Sequence, residues 1–442
     1  MTETPTTPVE KRTLKVAMLG CGTVGSQVAR LILEQGDALE SRIGARLELV
    51  GIAVGNPNKE RPGLDPSLFF GDAAGLVARD DLDIVIEVIG GIDPVREWTL
   101  SALEHGASVV TANKALLATH GAELTQTAEE AGVDLYFEAA VAGAIPIIRP
   151  LRGSLVGDEI TRVMGIVNGT TNYILDQMTT TGADFADALG EAQDLGYAEA
   201  DPTADVEGHD AAAKAAILAS LAFHTRVEMG QVACEGITNV TAQDVKAAEA
   251  LGLVIKLLAV CELTEDDEVS VRVHPVMLPQ SHPLASISGA YNAIFVESRE
   301  AGRLMFMGPG AGGAPTASAV MGDLVTVARN RVRGTSGPAP STYTERKVAD
   351  MGRTSCLYYL RFEVVDEPGV LAQAATVFSD HEVSLKTVGQ KTAEGADGHP
   401  IATLEVLTHI STEEVIQRCV AELTEAPFVR GEVTLLRVEA DR

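Results

Sequence analysis

The sequence predicts an α/β protein with a doubly wound parallel domain, an α+β middle domain and a C-terminal βαββαβ unit. Three observations carry this. A G-x-G-x-x-G run, Gly20 to Gly25, sits between an apolar strand and a helix-periodic segment. Strand-like and helix-like segments alternate from there to about residue 140. After about residue 355, six short segments recur in the order strand, helix, strand, strand, helix, strand. A chain of 442 residues is long enough for two or three domains, and 46% hydrophobic residues suffice for their cores.

Leu14 to Leu19 is a short apolar strand, and Ser26 to Glu34 has helical periodicity. In this context Gly20 permits the tight turn, Gly22 lets the backbone approach a pyrophosphate, and Gly25 allows close packing of the helix. The helix N-terminus, with Thr23 and Val24, offers free N–H groups to the phosphates. This is the pattern of a Rossmann-type domain binding a dinucleotide. Leu47 to Val54 is the second strand. No carboxylate stands at its tip, where one would bind the ribose of NAD. Lys59 and Arg61 follow instead, which tilts the reading toward NADP, with NAD possible. Ordinary loop charges are the alternative reading of those two cations.

Asp83 to Gly91, including Gly90, is a nearly continuous apolar strand, as parallel sheets require. Trp98 to His105 is a helix and Ala107 to Thr111 a strand. Thr111-Ala-Asn-Lys114 therefore lies at a strand's carboxyl end, where open α/β sheets bind ligands. Asp134 to Ala140 is a further strand. The Gly-rich run Gly308 to Pro315, with a helix from Thr316 to Arg329, can return the chain to the first domain.

The middle region changes character. Asp201 to Lys214 packs four acids and a lysine around one Gly and one Pro, then opens a helix that is apolar almost all round. Asp210 and Lys214 are four apart, so both project from one face. A surface ion pair is the bland reading. A buried acid and lysine beside an acid-rich loop point to a site instead. Ser270 to Val273 and Ala293 to Glu297 are strand-like. Residues 333–355 are Gly/Ser/Thr/Pro-rich and polar, as a flexible linker would be. Beyond them come strand Leu357–Val365, helix Val370–Phe378, strands Val383–Gln390 and Ile401–Leu407, helix Thr412–Leu423 and strand Gly431–Arg437.

A net charge of −28 argues against nucleic acid or an anionic membrane as partner. The five cysteines are scattered without a C-x-x-C pair, so neither a disulfide framework nor a zinc site is suggested. That fits a reducing compartment and a cytoplasmic location. Residues 1–12 are polar with no apolar core, as a disordered tail would be.

Taken together, Val109 to Lys114, Gly165 to Leu175, Leu195 to Pro202 running into Asp205 to Lys214, Gly308 to Gly313 and Asp366 to Leu371 resemble homoserine dehydrogenase in the form with a C-terminal ACT domain. The resemblance spans essentially the whole chain after the tail. It implies interconversion of L-homoserine and L-aspartate 4-semialdehyde with NAD(P). It also implies a nucleotide domain of 13–146 plus about 306–332, a substrate and dimerisation domain of 147–305, and an ACT domain of 356–438. By the same resemblance Lys214 is the proton donor and acceptor, Glu199 and Asp210 bind substrate, and Lys114 lies near the nicotinamide, also reaching substrate. Gly196 and Gly308 contact the cofactor. Glu138, Val141, Gly143 and Ile145 form a monovalent-cation site for sodium, largely through backbone carbonyls. A homodimer or homotetramer, with L-threonine as effector at the ACT domain, is implied as well.

The chemistry asks for these residue types. The cofactor carries the hydride, so the protein must orient substrate and move one proton. Carboxylates suit the substrate's ammonium. The alcohol proton needs a base that can be neutral near pH 7, a state lysines reach through burial and a second cation. His209 follows the helix about 100° away from Asp210 and is structural. A rival reading, an aldehyde-oxidising dehydrogenase, needs a thiolate nucleophile. Cys21 lies inside the glycine turn, and the other cysteines stand in no such constellation. A non-catalytic amino-acid sensor is the other rival, and the intact Asp210, Lys214 and Lys114 count against it.

Overall fold

The computed structural model describes residues 12–337, 343–394 and 400–439. The expected tail at 1–12 thus lies, but for Arg12, outside the described residues. The chain divides into two compact units: Met1–Ile160 with Ala216–Met229 and Asn292–Glu345, and Thr161–Ala215 with Gly230–Tyr291 and Arg346–Arg442.

In the first unit a sheet runs, in spatial order, through Phe69–Phe70, Arg46–Ala53, Thr13–Leu19, Ile84–Glu87, Ser108–Thr111 and Leu135–Tyr136. Every neighbouring pair is parallel, and the order reverses beside the first strand. That is the doubly wound arrangement, with its ligand crevice at the reversal. Ile84, Val85 and Ile86 are fully buried, because helices cover both faces of such a sheet. The helix Thr23–Glu34 buries Val28, Ala29 and Ile32 into the core. The helix Gly313–Arg333 adds Ala317, Val320, Leu324 and Val327 to that same core, so the second Gly-rich run does return the chain here. A Cβ on Gly313 would stand 2.9 Å from the Thr23 carbonyl oxygen, which explains glycine at that approach.

Two expected strands are shorter than the sequence suggests. The Asp83–Gly91 run is a strand only over Ile84–Glu87. Buried Glu87 takes the backbone N–H groups of Ile89 and Gly90 on Oε1, at 2.8 and 3.0 Å, and turns the chain. The Asp134–Ala140 run is a strand only over Leu135–Tyr136, and Glu138–Ala140 forms a 3-10 turn. There the Glu138 N–H donates to Asp323 Oδ2 at 2.7 Å, away from any sheet partner. Burial pushes the Asp323 carboxyl up to about 6 even though Arg149 donates to it at 2.7 Å.

In the second unit one sheet passes through Ile160–Ile166, Leu253–Leu263, Val269–Pro279, Val429–Val438, Ser355–Val365, Pro400–Thr408 and Leu385–Glu394. Leu253–Leu263 and Val269–Pro279 form a long antiparallel pair. The sequence reading recognised only Ser270–Val273 of it. Both strands are buried on both faces, so the alternation that marks a half-buried strand is missing.

The C-terminal βαββαβ unit forms as expected. Its own strands lie in the order fourth, first, third, second, all antiparallel. Tyr358, Leu360, Phe362, Ala402, Leu404 and Val406 pack against Val377, Phe378, Ile416 and Leu423 of its two helices. Its last strand pairs in parallel with Val269–Pro279, through Val276 with Arg437 and Met277 with Val438. The sheet is therefore continuous from the middle domain into the C-terminal one. Buried ion pairs line this junction. Arg162 donates to both carboxylate oxygens of Glu439, at 2.7 and 2.8 Å, and Arg361 donates to the buried Asp244 at 2.8 Å.

The slack linker expected over 333–355 is anchored where it is described. Val269 N–H donates to Lys347 O, and Ala349 N–H to Val269 O, both at 2.9 Å. Arg346 pairs with Asp267, and Arg353 with Glu268. Composition reports side chains suited to solvent, and it is blind to backbone partners found in a distant strand.

Candidate active site

In the first unit the candidate nucleotide site is built by three glycines. Gly20 has φ 102° and faces the Val88 carbonyl. A Cβ on Gly25 would stand 2.4 Å from Gly20 O, while one on Gly22 would meet nothing within 4 Å. Open space at Gly22, in front of the N-terminus of the helix that begins at Thr23 and Val24, is what a pyrophosphate requires. A cleft of about 560 Å³ beside it is lined by Cys21, Gly22, Thr23, Arg30, Lys59 and Arg61. Val54 closes the second strand by donating its N–H to Phe70 O at 2.9 Å. Arg61 lies over the Phe69 ring, 4.5 Å from its centroid, and donates to the Asn56 and Lys59 carbonyls. Its guanidinium is thus preset at the strand tip that lacks a carboxylate. Burial pushes the Cys21 thiol up, against the pull of Arg61, so it is no ready thiolate.

At the next strand ends, Thr111 Oγ1 donates to Glu87 Oε2 at 2.5 Å and accepts from Asn113 N–H at 3.0 Å. Asn113 caps the helix Lys114–Glu130 by accepting from Leu116 N–H, and its amide donates to Gly91 O at 2.6 Å. Gly90 and Gly91 are left-handed, at φ 85° and 78°. Exposed Lys114 is the first residue of that capped helix. Glu87 and Asn113, which organise this corner, were absent from the candidates drawn from sequence. A lone acid inside Ile-Val-Ile-Glu-Val-Ile was the available signal.

The candidate cation loop follows. Ala142 and Gly143 are both left-handed, and a Cβ on Gly143 would stand 2.4 Å from Gly310 O. Ala144 N–H donates to Pro309 O and Ile145 N–H to Ala142 O, and Gly308 packs on the Ile145 side chain. The Glu138 carboxylate is committed elsewhere, accepting from Ile147, Ile148 and Arg149 N–H at 2.6 to 3.0 Å. What Glu138, Val141, Gly143 and Ile145 can offer an ion is therefore backbone carbonyl oxygen, a donor type hard cations accept.

In the second unit the candidate substrate residues centre on the helix His209–Ala222. Lys214 is 9% exposed, and its Nζ donates to Asp210 Oδ2 and to Val167 O, both at 2.7 Å. Asn168 donates to Asp210 Oδ2 at 2.9 Å and to Asp205 Oδ1 at 2.6 Å. Lys214 and Asp210 are thus brought together as expected, with Asn168 and Asp205 added by the fold. Glu199 lies outside this hydrogen-bonded set. It is exposed, on the turn after the helix Phe185–Asp194, where Gly196 has φ 76°. Thr170 Oγ1 donates to Tyr197 O at 2.7 Å and ties that turn to the start of the helix Gly169–Thr181. His209 is exposed. Behind the helix Gly169–Thr181, the buried Lys256 donates to Asn172 and to Ile287 O, and burial pulls its pKa down to about 8.

Residues 20–138 match the family model described as homoserine dehydrogenase, NAD binding domain, and residues 146–325 the one described as homoserine dehydrogenase. Residues 358–420 match the ACT domain. The homoserine dehydrogenase of Corynebacterium glutamicum is 56% identical over 430 residues, 96% of each chain. The crystal structure of a homoserine dehydrogenase from Thiobacillus denitrificans superposes with a TM-score of 0.91 at 37% identity, covering 97% of this chain and 99% of that one. A hyperthermophilic archaeal homoserine dehydrogenase in complex with NADPH gives 0.62 at 29% identity, over 74% of this chain and 99% of that one. Among the described residues no helix is long and apolar enough to cross a membrane. Glycine cradle, preset cleft and full-length matches agree: the chain belongs to the homoserine dehydrogenase family, with a C-terminal ACT domain, and is an NAD(P)-dependent oxidoreductase.

Proposed function

We propose that the chain interconverts L-homoserine and L-aspartate 4-semialdehyde, with Lys214 moving the alcohol proton. The observation that carries this is the buried Lys214 amine, held at 2.7 Å by Asp210 Oδ2 and Val167 O. Two of its three positions are directed to those oxygens, and the remaining one serves the substrate oxygen. In the oxidative direction a neutral Lys214 takes the hydroxyl proton. In the reverse direction the ammonium returns it to the nascent alkoxide. NADP or NAD, when bound, supplies or accepts the hydride. Asp210 and Glu199 meet the substrate's ammonium, and Lys114 works at the nicotinamide side. Consumption of NADPH with L-aspartate 4-semialdehyde tests the reading directly; no turnover would sink it.

The finer assignments rest on particular residues. Arg61 and Lys59 favour a 2′-phosphate, so NADP is accepted at least as well as NAD, and Arg61→Ala narrows that difference. Use of NAD alone would overturn this. The carbonyl loop at Val141, Gly143 and Ile145 suits sodium, which predicts higher activity in NaCl than in choline chloride at equal ionic strength; equal activity counts against it. L-Threonine is the effector we assign to the ACT domain, in a biosynthetic pathway leading to threonine, methionine and isoleucine. The turn at Asp366–Gly369, half-buried at Asp366 and exposed from Glu367 on, supports it: Gly369 has φ 94° and would carry no steric neighbour within 4 Å of a Cβ. Threonine is expected to change substrate affinity by roughly 5–150-fold, the usual span of such coupling. Asp366→Ala should blunt the response, and undiminished sensitivity would place the effector elsewhere. Truncation is a poor probe, because it would strip the strand paired to Val276 and Met277. ACT domains pair side by side, which supports a homodimer or homotetramer; a monomeric mass by sedimentation would refute it.

A further inference from the structure

The helix Gly169–Thr181 begins at Asn168, which is 5% exposed. Its Oδ1 accepts from Thr171 N–H at 2.9 Å and from Thr171 Oγ1 at 3.0 Å. With the carbonyl oxygen spent on the helix cap, the amide nitrogen has to point the other way. There it meets two carboxylates, Asp205 Oδ1 at 2.6 Å and Asp210 Oδ2 at 2.9 Å. Those acids come from different elements, the short helix Thr203–Val206 and the helix His209–Ala222. The same Oδ2 of Asp210 receives the Lys214 amine, and the residue before Asn168 supplies the other oxygen that holds it.

Val167 and Asn168 therefore grip the lysine–aspartate pair from two sides. We propose that Asn168 is a positioning residue for proton transfer: its amide, locked by the helix cap, bridges the Asp205 and Asp210 carboxylates and fixes the oxygen that aims Lys214. Two carboxylates sharing a site repel, and one of them takes up a proton unless donors stand between them. Asn168 supplies one N–H to each. Nothing in its role requires contact with substrate.

This inference rests on Lys214 as the acid and base. Asn168→Asp keeps the cap oxygen but puts an oxygen where both carboxylates expect hydrogen. The three acids must then share a proton, released only at higher pH. The acid limb of the kcat–pH profile is expected to move up by about one pH unit or more, with kcat at pH 7 down at least about tenfold, the scale of a mistuned acid/base group. Asn168→Ser keeps a capping oxygen and loses both donations, and the same limb is expected to move the same way. KM for homoserine should change less than kcat in both. The unfolding midpoint of the Ser variant should stay near that of the wild type. If Lys214→Ala abolishes turnover while both Asn168 variants keep the wild-type pH profile, the inference fails and the lysine assignment stands. If Lys214→Ala keeps turnover, both fail. Lower kcat in the Ser variant with an unmoved profile and a matching fall in unfolding midpoint would make Asn168 a helix cap and overturn the proposal.

Discussion

Lys214→Ala is expected to lower kcat by about 10²–10⁴, the range for losing a positioned acid/base group. That corresponds to roughly 3–5 kcal/mol of transition-state stabilisation. The loss should be specific. Asp210 keeps its Asn168 donor at 2.9 Å, and the helix carrying both residues is anchored by Ala211, Ala212, Ala215 and Leu218, all buried. Binding of NADPH, followed by its fluorescence, should therefore survive. Glu199→Gln should act differently, raising KM for homoserine because it removes one partner of the ammonium while leaving the amine of Lys214 in place. Turnover within about threefold of wild type for Lys214→Ala would remove the lysine from the mechanism, since no acid/base role is that small. An unchanged KM in Glu199→Gln would move the ammonium site off that turn.

Arg162→Ala is expected to destabilise the second unit by about 3–5 kcal/mol, as breaking a buried pair from one side does. Arg162 is 6% exposed and holds both oxygens of Glu439, with Glu262 a further 3.2 Å neighbour. Without it, Glu439 loses its partner in a place water scarcely reaches. Glu262 retains Arg272 at 2.7 Å. The cost should appear as a lower denaturation midpoint. Replacing both partners by apolar residues, as in Arg162→Met with Glu439→Leu, should recover much of it, because no unpaired charge is then buried. A single variant that loses less than about 1 kcal/mol would mean that the pair behaves like an exposed one. The experiment also measures how firmly the C-terminal domain is docked, since Glu439 follows directly on the strand that pairs with Val269–Pro279 of the middle domain.

Much of this molecule can be derived without coordinates. The glycines at 20, 22 and 25 dictate a turn that larger side chains could not make, and the 2.4 Å approach of a Cβ on Gly25 to Gly20 O is the steric reason. The spacing of Asp210 and Lys214 places both on one helix face whatever surrounds them. Ala402, Leu404 and Val406 alternate with Thr403 and Glu405, which announces a strand with one covered face, and the burial agrees. These are local facts, set by φ, by helical pitch and by the pleat.

Only the tertiary structure decided the rest. Local pattern does not say that Asn168, forty-two residues before Asp210, would bridge two carboxylates. Nor does it mark Leu253–Leu263 as a strand, because burial on both faces erases the alternation. The polar stretch after residue 343 has the composition of a tether, yet Val269 takes its backbone into hydrogen bonds. Val276 and Arg437 are 161 residues apart and pair because the strands of the middle and C-terminal domains join into one sheet. In each case the partner is distant in sequence. Nearby residues determine what a segment can form, and long-range packing and hydrogen bonding determine which partner completes it.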